Sequence, residues 1–462
     1  MRHTHFIGIG GSGLSAIARV LLERGEGVSG SDRQLSPPAE ALISAGVQVF
    51  VGHRAENVRG ADLVVRSSAI PDDNVEVREA RALGIPVQKR SEFLGDLLNG
   101  YQVIAVAGTH GKTTTTSMIA WILFELGVDP SFIIGGISKN MGVNARAGKG
   151  PYFVIEADEY DRMFLGLSPA IAVVTNIEHD HPDCFPTPES FYQAFQEFAE
   201  RLLRSGSLVA CQDDPGANRL MGEVKSAGKH TVSYALEASS GSARMDYYPK
   251  NISQAGGRGF EFDLYRRGER LAEVSLQVPG VHNVRNALAA LAVSDLLDLP
   301  LAETVRALNE FKGTGRRFDV RGEVRGITVI DDYAHHPTEI KTTLAAARTI
   351  YPQGDIWAVW QPHTYSRTRA LMADYSVAFG DANHVLVTDI YAAREAPPAN
   401  GFSSRKVVDA LQHQDAHYSD GLTETTDYLE KNLRPGSVLI VLSAGDADQV
   451  STRILQSIES MG

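Results

Sequence analysis

The chain has 462 residues, 43% of them hydrophobic and 22% charged, with a formal net charge of −12 at pH 7. That length calls for about three domains, each with a core of its own, and the composition excludes wholesale disorder. With no basic block, nothing favours a nucleic acid or an anionic membrane as partner, because counterion release has no patch to act through.

Two cysteines, Cys184 and Cys211, cannot build a disulfide framework. The opening Met1-Arg2-His3-Thr4 runs into a Gly-rich turn rather than an apolar signal segment, and no apolar run nears the ~20 residues that cross a bilayer. A reducing, cytoplasmic setting is expected. In chain order the first unit alternates: strand 5–9, helix 14–24, strand 27–30, helix 39–45, strand 61–65. Such alternation predicts a parallel, doubly wound α/β sheet. A second unit opens with a strand over 103–107, and the continuous apolar runs 153–155 and 171–174 read as fully buried parallel strands. Over 245–278 the pattern changes to alternating strands with a Gly256-Gly257 turn, a small antiparallel patch, and a helix over 282–297 follows. Lys312-Gly313-Thr314-Gly315 suits a hinge, after which strands over 327–330, 356–360, 384–388 and 438–442 restart the alternation. Boundaries near 98 and 313 give domains 1–97, 98–312 and 313–462.

Gly8-Ile9-Gly10-Gly11-Ser12-Gly13 stands between a strand and a helix, where glycines let backbone approach a phosphate at a helix N-terminus. Asp32, after the second strand, is placed to accept a ribose hydroxyl. NAD binding is the obvious reading, and a tight βα turn without a ligand is the bland one. Gly108-Thr109-His110-Gly111-Lys112-Thr113-Thr114 says more. It follows an apolar strand and opens a helix, so backbone N–H groups would cradle phosphates, Lys112 reach the β/γ oxygens and the Thr113 hydroxyl hold Mg²⁺. Val106 stands where the common loop has its first glycine. Two acidic clusters, Glu156-Ala157-Asp158-Glu159-Tyr160-Asp161 and Glu178-His179-Asp180-His181-Pro182-Asp183, follow strands on the same carboxyl edge and can hold a divalent ion there. Polar loops 331–337, 361–368 and 389–395 also follow strands, and Asn283 and Asn286 share one helix face.

This ordered series of motifs resembles the Mur ligase family, the ATP-dependent amide-forming enzymes of peptidoglycan synthesis, over nearly the whole chain. The resemblance implies three domains: a Rossmann-like N-terminal domain for a UDP-sugar, a central P-loop ATPase-like domain, and a Rossmann-like C-terminal domain that delivers the amino acid and closes on ATP. Gly10, Gly11, Ser12 and Gly13 would then grip the UDP pyrophosphate rather than NAD, with Ser31, Asp32, Ser67 and Ser68 nearby. Gly108, Thr109, His110, Gly111, Lys112, Thr113 and Thr114 become the ATP loop, and Thr113, Glu156 and His181 the metal positions. His282, Asn283 and Asn286 match inter-domain nucleotide contacts, with His282 set on the UDP-substrate side. Arg316 and Arg317 match an arginine pair near the phosphates, and Asp332 and His335 match a nucleotide loop of the third domain. His363, Arg367 and Arg394 fall on the amino-acid side. Lys112, Glu156, His181, Arg317 and His335 are the implied catalytic set. ATP and two Mg²⁺ (Mn²⁺ as a substitute) are the implied cofactors, UDP-N-acetylmuramate and L-alanine the substrates, and the chain a monomer or homodimer. The sequence departs from the alanine-adding pattern at Tyr160, usually Ser, and at His179 and Pro182. Tyr160 is similar to the branch that recycles intact tripeptide, whereas loops 361–368 and 389–395 fit the alanine-adding branch.

Overall fold

Three β-sheets organise the chain in a computed structural model that describes residues 2–236, 245–393 and 395–460. The first sheet is parallel throughout, in the order Gln48–Val51, Gly27–Asp32, His3–Ile7, Leu63–Arg66, Val87–Lys89. Its central strand starts and stops two residues earlier than the sequence pattern suggests, because Gly8 at φ +86° turns the chain out of the sheet. The edge strands Gln48–Val51 and Val87–Lys89 carry no fully buried residue and lie outside the strands expected from the sequence.

The second sheet has ten strands. Its parallel heart pairs Ile171–Val174 with Gln102–Ala107 and Gln102–Ala107 with Tyr152–Glu156. Ala105, Val106, Ala107 and Val173 are wholly buried there, under the helix Lys112–Glu125, which packs beside the helix Val281–Leu296. The antiparallel patch expected over 245–278 is present as Tyr247–Gln254, Phe260–Arg266 and Glu269–Leu276. The third sheet has six strands, five of them parallel, with the unforeseen edge strand Asp319–Val324 running antiparallel to Ile327–Asp332. Segment 312–315 is not the free hinge its composition suggests. Gly315 N donates to Ile137 O at 2.9 Å, Lys139 N to Gly313 O at 2.9 Å, and Thr314 is fully buried. Among the described residues no helix is long and apolar enough to cross a membrane. In all three sheets the carboxyl ends of the parallel strands carry the polar loops, and the second and third sheets turn these ends toward each other.

Candidate active site

The phosphate-type loop leaves the strand Gln102–Ala107 and enters the helix Lys112–Glu125. Two glycines are required. Gly108 and Gly111 lie at φ +133° and +80°, and a Cβ would stand 2.0 Å from Thr175 Oγ1 and 2.7 Å from Asn286 Oδ1 respectively. Lys112 Nζ donates to Thr109 O at 3.1 Å and to Glu159 at 3.0 Å. Burial works against this ammonium, but Glu159, Glu156 and Asp158 outweigh it and hold its pKa above the ordinary lysine value. Glu159 is 1% exposed, and burial raises its carboxyl despite Lys112 beside it.

Thr113 Oγ1 donates to Glu156 Oε1 at 3.0 Å, and the other carboxylate oxygen accepts from Gly135 N at 2.6 Å. A hydroxyl beside a carboxylate is the all-oxygen donor set that Mg²⁺ selects, so these two residues fit that ion. His181 does not join them in this arrangement. Its Nδ1 accepts from Arg367 Nη2 at 3.2 Å, its Nε2 lies 3.7 Å from Glu159, and the Tyr160 ring stands edge-on at 5.0 Å. Tyr160 Oη in turn donates to Asp183 at 3.0 Å, within the loop that carries His181.

The C-terminal domain meets this edge through two polar joints. Arg367, 3% exposed, forks onto Asp180 with Nε–Oδ1 at 2.7 Å and Nη2–Oδ2 at 3.2 Å, and its Nη1 donates to His363 Nδ1 at 3.0 Å. His335 lies in the same joint, its ring 5.7 Å from that of His363. Burial lowers both histidines, to about 4 and about 3, so both are neutral at pH 7. His335 Nδ1 donates to Tyr333 O at 2.9 Å, which leaves its lone pair on Nε2. In the second joint His110 stands between Glu178, 2.9 Å from its Nε2, and Glu339 of the C-terminal domain, 3.2 Å from its Nδ1. Burial opposes its charge, but hydrogen bonds to the two carboxylates raise its pKa to about 9. Thr338 Oγ1 also donates to Glu178, at 2.7 Å.

Between loop and C-terminal domain lies a cavity of about 240 Å³. His110, Gly111, Thr113, Thr114, Asn283, Asn286, Arg317 and Asp332 all line it, which unites eight of the residues expected around ATP. His282 lines it as well, away from the UDP-substrate side where it was set, and burial there lowers its pKa to about 4. Asn286 Nδ2 donates to Asn283 Oδ1 at 3.0 Å, as the shared helix face predicts. Arg316 is turned aside. Its guanidinium donates to Ser443 O and Gly445 O inside its own domain, while Arg317 lies 3.6 Å from Glu339 and keeps its charge through Glu339, Asp332 and Glu156 against the cost of burial. Asp332 accepts from Phe318 N and Ala334 N, both at 2.8 Å, and burial raises it to about 6.

At the N-terminal turn, Gly11, Ser12 and Ser68 are exposed, and Ser67 Oγ accepts from Ala69 N. Asp32, expected to face a ribose, accepts from Gly10 N at 2.9 Å and Arg33 N at 2.7 Å, so it shapes the turn itself. Ser31 is not at this surface. It is fully buried and donates to Glu76 inside a network with His5, His53 and Asn57. Arg90, absent from any sequence motif, lies against Gly13, where a Cβ would meet its guanidinium, and donates to Asp158 of the central unit at 3.2 Å. Glu339 left one trace in the sequence, the spacing of a capping box with His336, whereas Arg90 left none. Arg394 lies outside the described residues.

Three family models match the chain in succession: "Mur ligase family, catalytic domain" over 3–102, "Mur ligase middle domain" over 106–294, and "Mur ligase, glutamate ligase domain" over 316–445. A UDP-N-acetylmuramate–L-alanine ligase of Sorangium cellulosum is 45% identical over 97% of this chain and 94% of its own. One of a Geobacter species is 44% identical over 99% and 97%. Among solved structures, the UDP-N-acetylmuramate–alanine ligase of Thermotoga maritima matches all of both chains at a TM-score of 0.85 and 30% identity. A murein peptide ligase of Psychrobacter arcticus matches 99% of both at 0.73 and 25%.

Proposed function

The chain belongs to the Mur ligase family, and from that premise we propose that it joins L-alanine to the carboxylate of UDP-N-acetylmuramate, with ATP as the activating reagent. Full-length identity to ligases of that name carries this reading. A carboxylate resists amines because it is anionic and would have to expel oxide. Transfer of the γ-phosphoryl group to a carboxylate oxygen turns that oxygen into a good leaving group and releases ADP. The alanine nitrogen then adds to the acyl carbon, loses a proton, and the tetrahedral adduct expels phosphate to leave the amide.

The first step brings two anions together, so it needs concentrated positive charge. Lys112 supplies it from the loop and Arg317 from across the cavity, both charged despite burial. Mg²⁺, held by Thr113 and Glu156, would neutralise phosphate charge, and a second ion would require His181 to exchange Arg367 for metal. Neutral His335 offers the incoming amine an acceptor at Nε2. The Arg367–Asp180 and His110–Glu339 joints hold the C-terminal domain over the site, which keeps water from an acyl phosphate that would otherwise hydrolyse. The exposed glycine turn of the first domain is the surface for the UDP pyrophosphate. Tyr160 favours a second reading, ligation of a tripeptide in place of alanine.

Incubation of the purified chain with ATP, Mg²⁺ and UDP-N-acetylmuramate, offering L-alanine and the tripeptide in parallel, separates the two. The expected product is heavier by alanine, with serine or glycine as weak substitutes. A product heavier by the tripeptide alone, by mass spectrometry, refutes the alanine reading.

A further inference from the structure

Two imidazoles and two carboxylates converge where the phosphate-type loop faces the C-terminal domain, apart from the oxygen pair of Thr113 and Glu156. His110, Glu178 and His336 each bring a donor atom within 4.8 Å of the others, and Glu339 flanks His110 on its other nitrogen. His336 is 2% exposed, its ring centre is 4.7 Å from that of His110, and its Nε2 has no hydrogen-bond partner. A buried ring nitrogen left unpaired costs about 1–3 kcal/mol unless something binds it. Arg317 already meets Glu339 at 3.6 Å, so the groups open to an ion are the His110 and His336 rings and the half-exposed Glu178, and a divalent ion would take the place of the proton between His110 and Glu178. Mixed imidazole and carboxylate donors suit Zn²⁺ and its neighbours, whereas Mg²⁺ prefers oxygen alone.

We infer that His110, Glu178 and His336 form a site for a borderline transition-metal ion such as Zn²⁺, distinct from the oxygen site at Thr113 and Glu156. Binding moves the His336 ring proton and forfeits its 3.3 Å contact from Thr338 N, a long and weak bond to lose. The ion ties the phosphate-type loop to the C-terminal domain through the wall of the nucleotide cavity, so it holds the two together and slows turnover.

The test uses the full chain stripped of metal and titrated with Zn²⁺ against a chromophoric chelator, with Co²⁺ absorption as a second readout of nitrogen and oxygen ligation. One Zn²⁺ per chain is expected, not displaced by excess Mg²⁺. Glu178→Gln and His336→Gln each weaken binding at least tenfold, and the half-exposed Glu178 makes the first a variant that folds. His384→Gln serves as control, because His384, Asp355, Asp415 and His417 form a separate histidine–carboxylate cluster at the opposite end of the third sheet. Absence of binding, displacement by Mg²⁺, indifference to both Glu178→Gln and His336→Gln, or loss in His384→Gln would each overturn the assignment.

Discussion

Removing the ammonium of Lys112 should do two separable things. Turnover should be abolished, because the loop loses the charge that faces the transferred phosphate, while binding of the UDP substrate in the first domain persists. The second effect is on stability and follows from Glu159. This carboxylate is 1% exposed and already raised by burial, and Lys112 is its main counter-charge. In Lys112→Met it takes up a proton in the folded state and remains ionised above ~4.3 in the unfolded state. A carboxyl whose folded pKa is raised binds more protons when folded, so stability falls as pH rises, by ~1.4 kcal/mol per unit until the folded group ionises. The penalty therefore grows from pH 5.5 to pH 7.5, toward the ~3–5 kcal/mol typical of breaking a buried pair. Glu159→Gln added to Lys112→Met should recover most of the loss and flatten the pH slope. The measurement is urea unfolding followed by Trp121, which lies in the helix that Lys112 opens. Replacing Trp357 and Trp360 by Phe makes it the sole tryptophan of the three. A flat slope in Lys112→Met, or a double variant no more stable than the single one, would refute the argument.

Gly111→Ala should cost about 1–3 kcal/mol through its left-handed φ and weaken ATP binding by calorimetry, because the new methyl displaces Asn286; unchanged ATP affinity would show that the loop tolerates the shift. Glu156→Gln should raise the Mg²⁺ concentration needed for half-maximal turnover and lower the rate at least tenfold, ~1.4 kcal/mol of barrier, and a Mg²⁺ profile like that of the parent counts against the Thr113–Glu156 pair as ion holders. Glu76→Leu should destabilise the N-terminal domain by about 1–3 kcal/mol at pH 7 by removing the carboxylate that accepts from Ser31 and Asn57 and stands 3.8 Å from His5. Burial works against the Glu76 charge, but bonds from those three residues hold its pKa below the usual value. The contribution is therefore present above ~4.3 and lost as pH falls through the folded pKa, so thermal melts of parent and variant should converge in acid. Melts that stay equally far apart there would exclude this origin.

Local patterns in the chain were enough for the parallel strands over 103–107, 153–155 and 171–174, the two glycine turns and the loop that ends in Lys112 and Thr113, since each depends on residues within a dozen positions. Continuous apolar runs mark strands buried on both faces, and so 103–107, 153–155 and 171–174 were legible, while the half-exposed edges at Gln48–Val51 and Asp319–Val324 were not. The same locality explains how motif membership misjudged direction. Ser31 extends the strand expected over 27–30, and because successive side chains alternate faces its own is buried. Asp32 follows it and spends its oxygens on the turn, and Arg316 and Arg317 adjoin in sequence yet face opposite ways. What the tertiary structure alone decided are the partnerships across domains. His110 meets Glu339 at a separation of 229 residues and Arg367 meets Asp180 at 187. No periodicity encodes such a pair, because it exists only where packing brings two sheet edges together and burial makes an unpaired charge too costly to leave there.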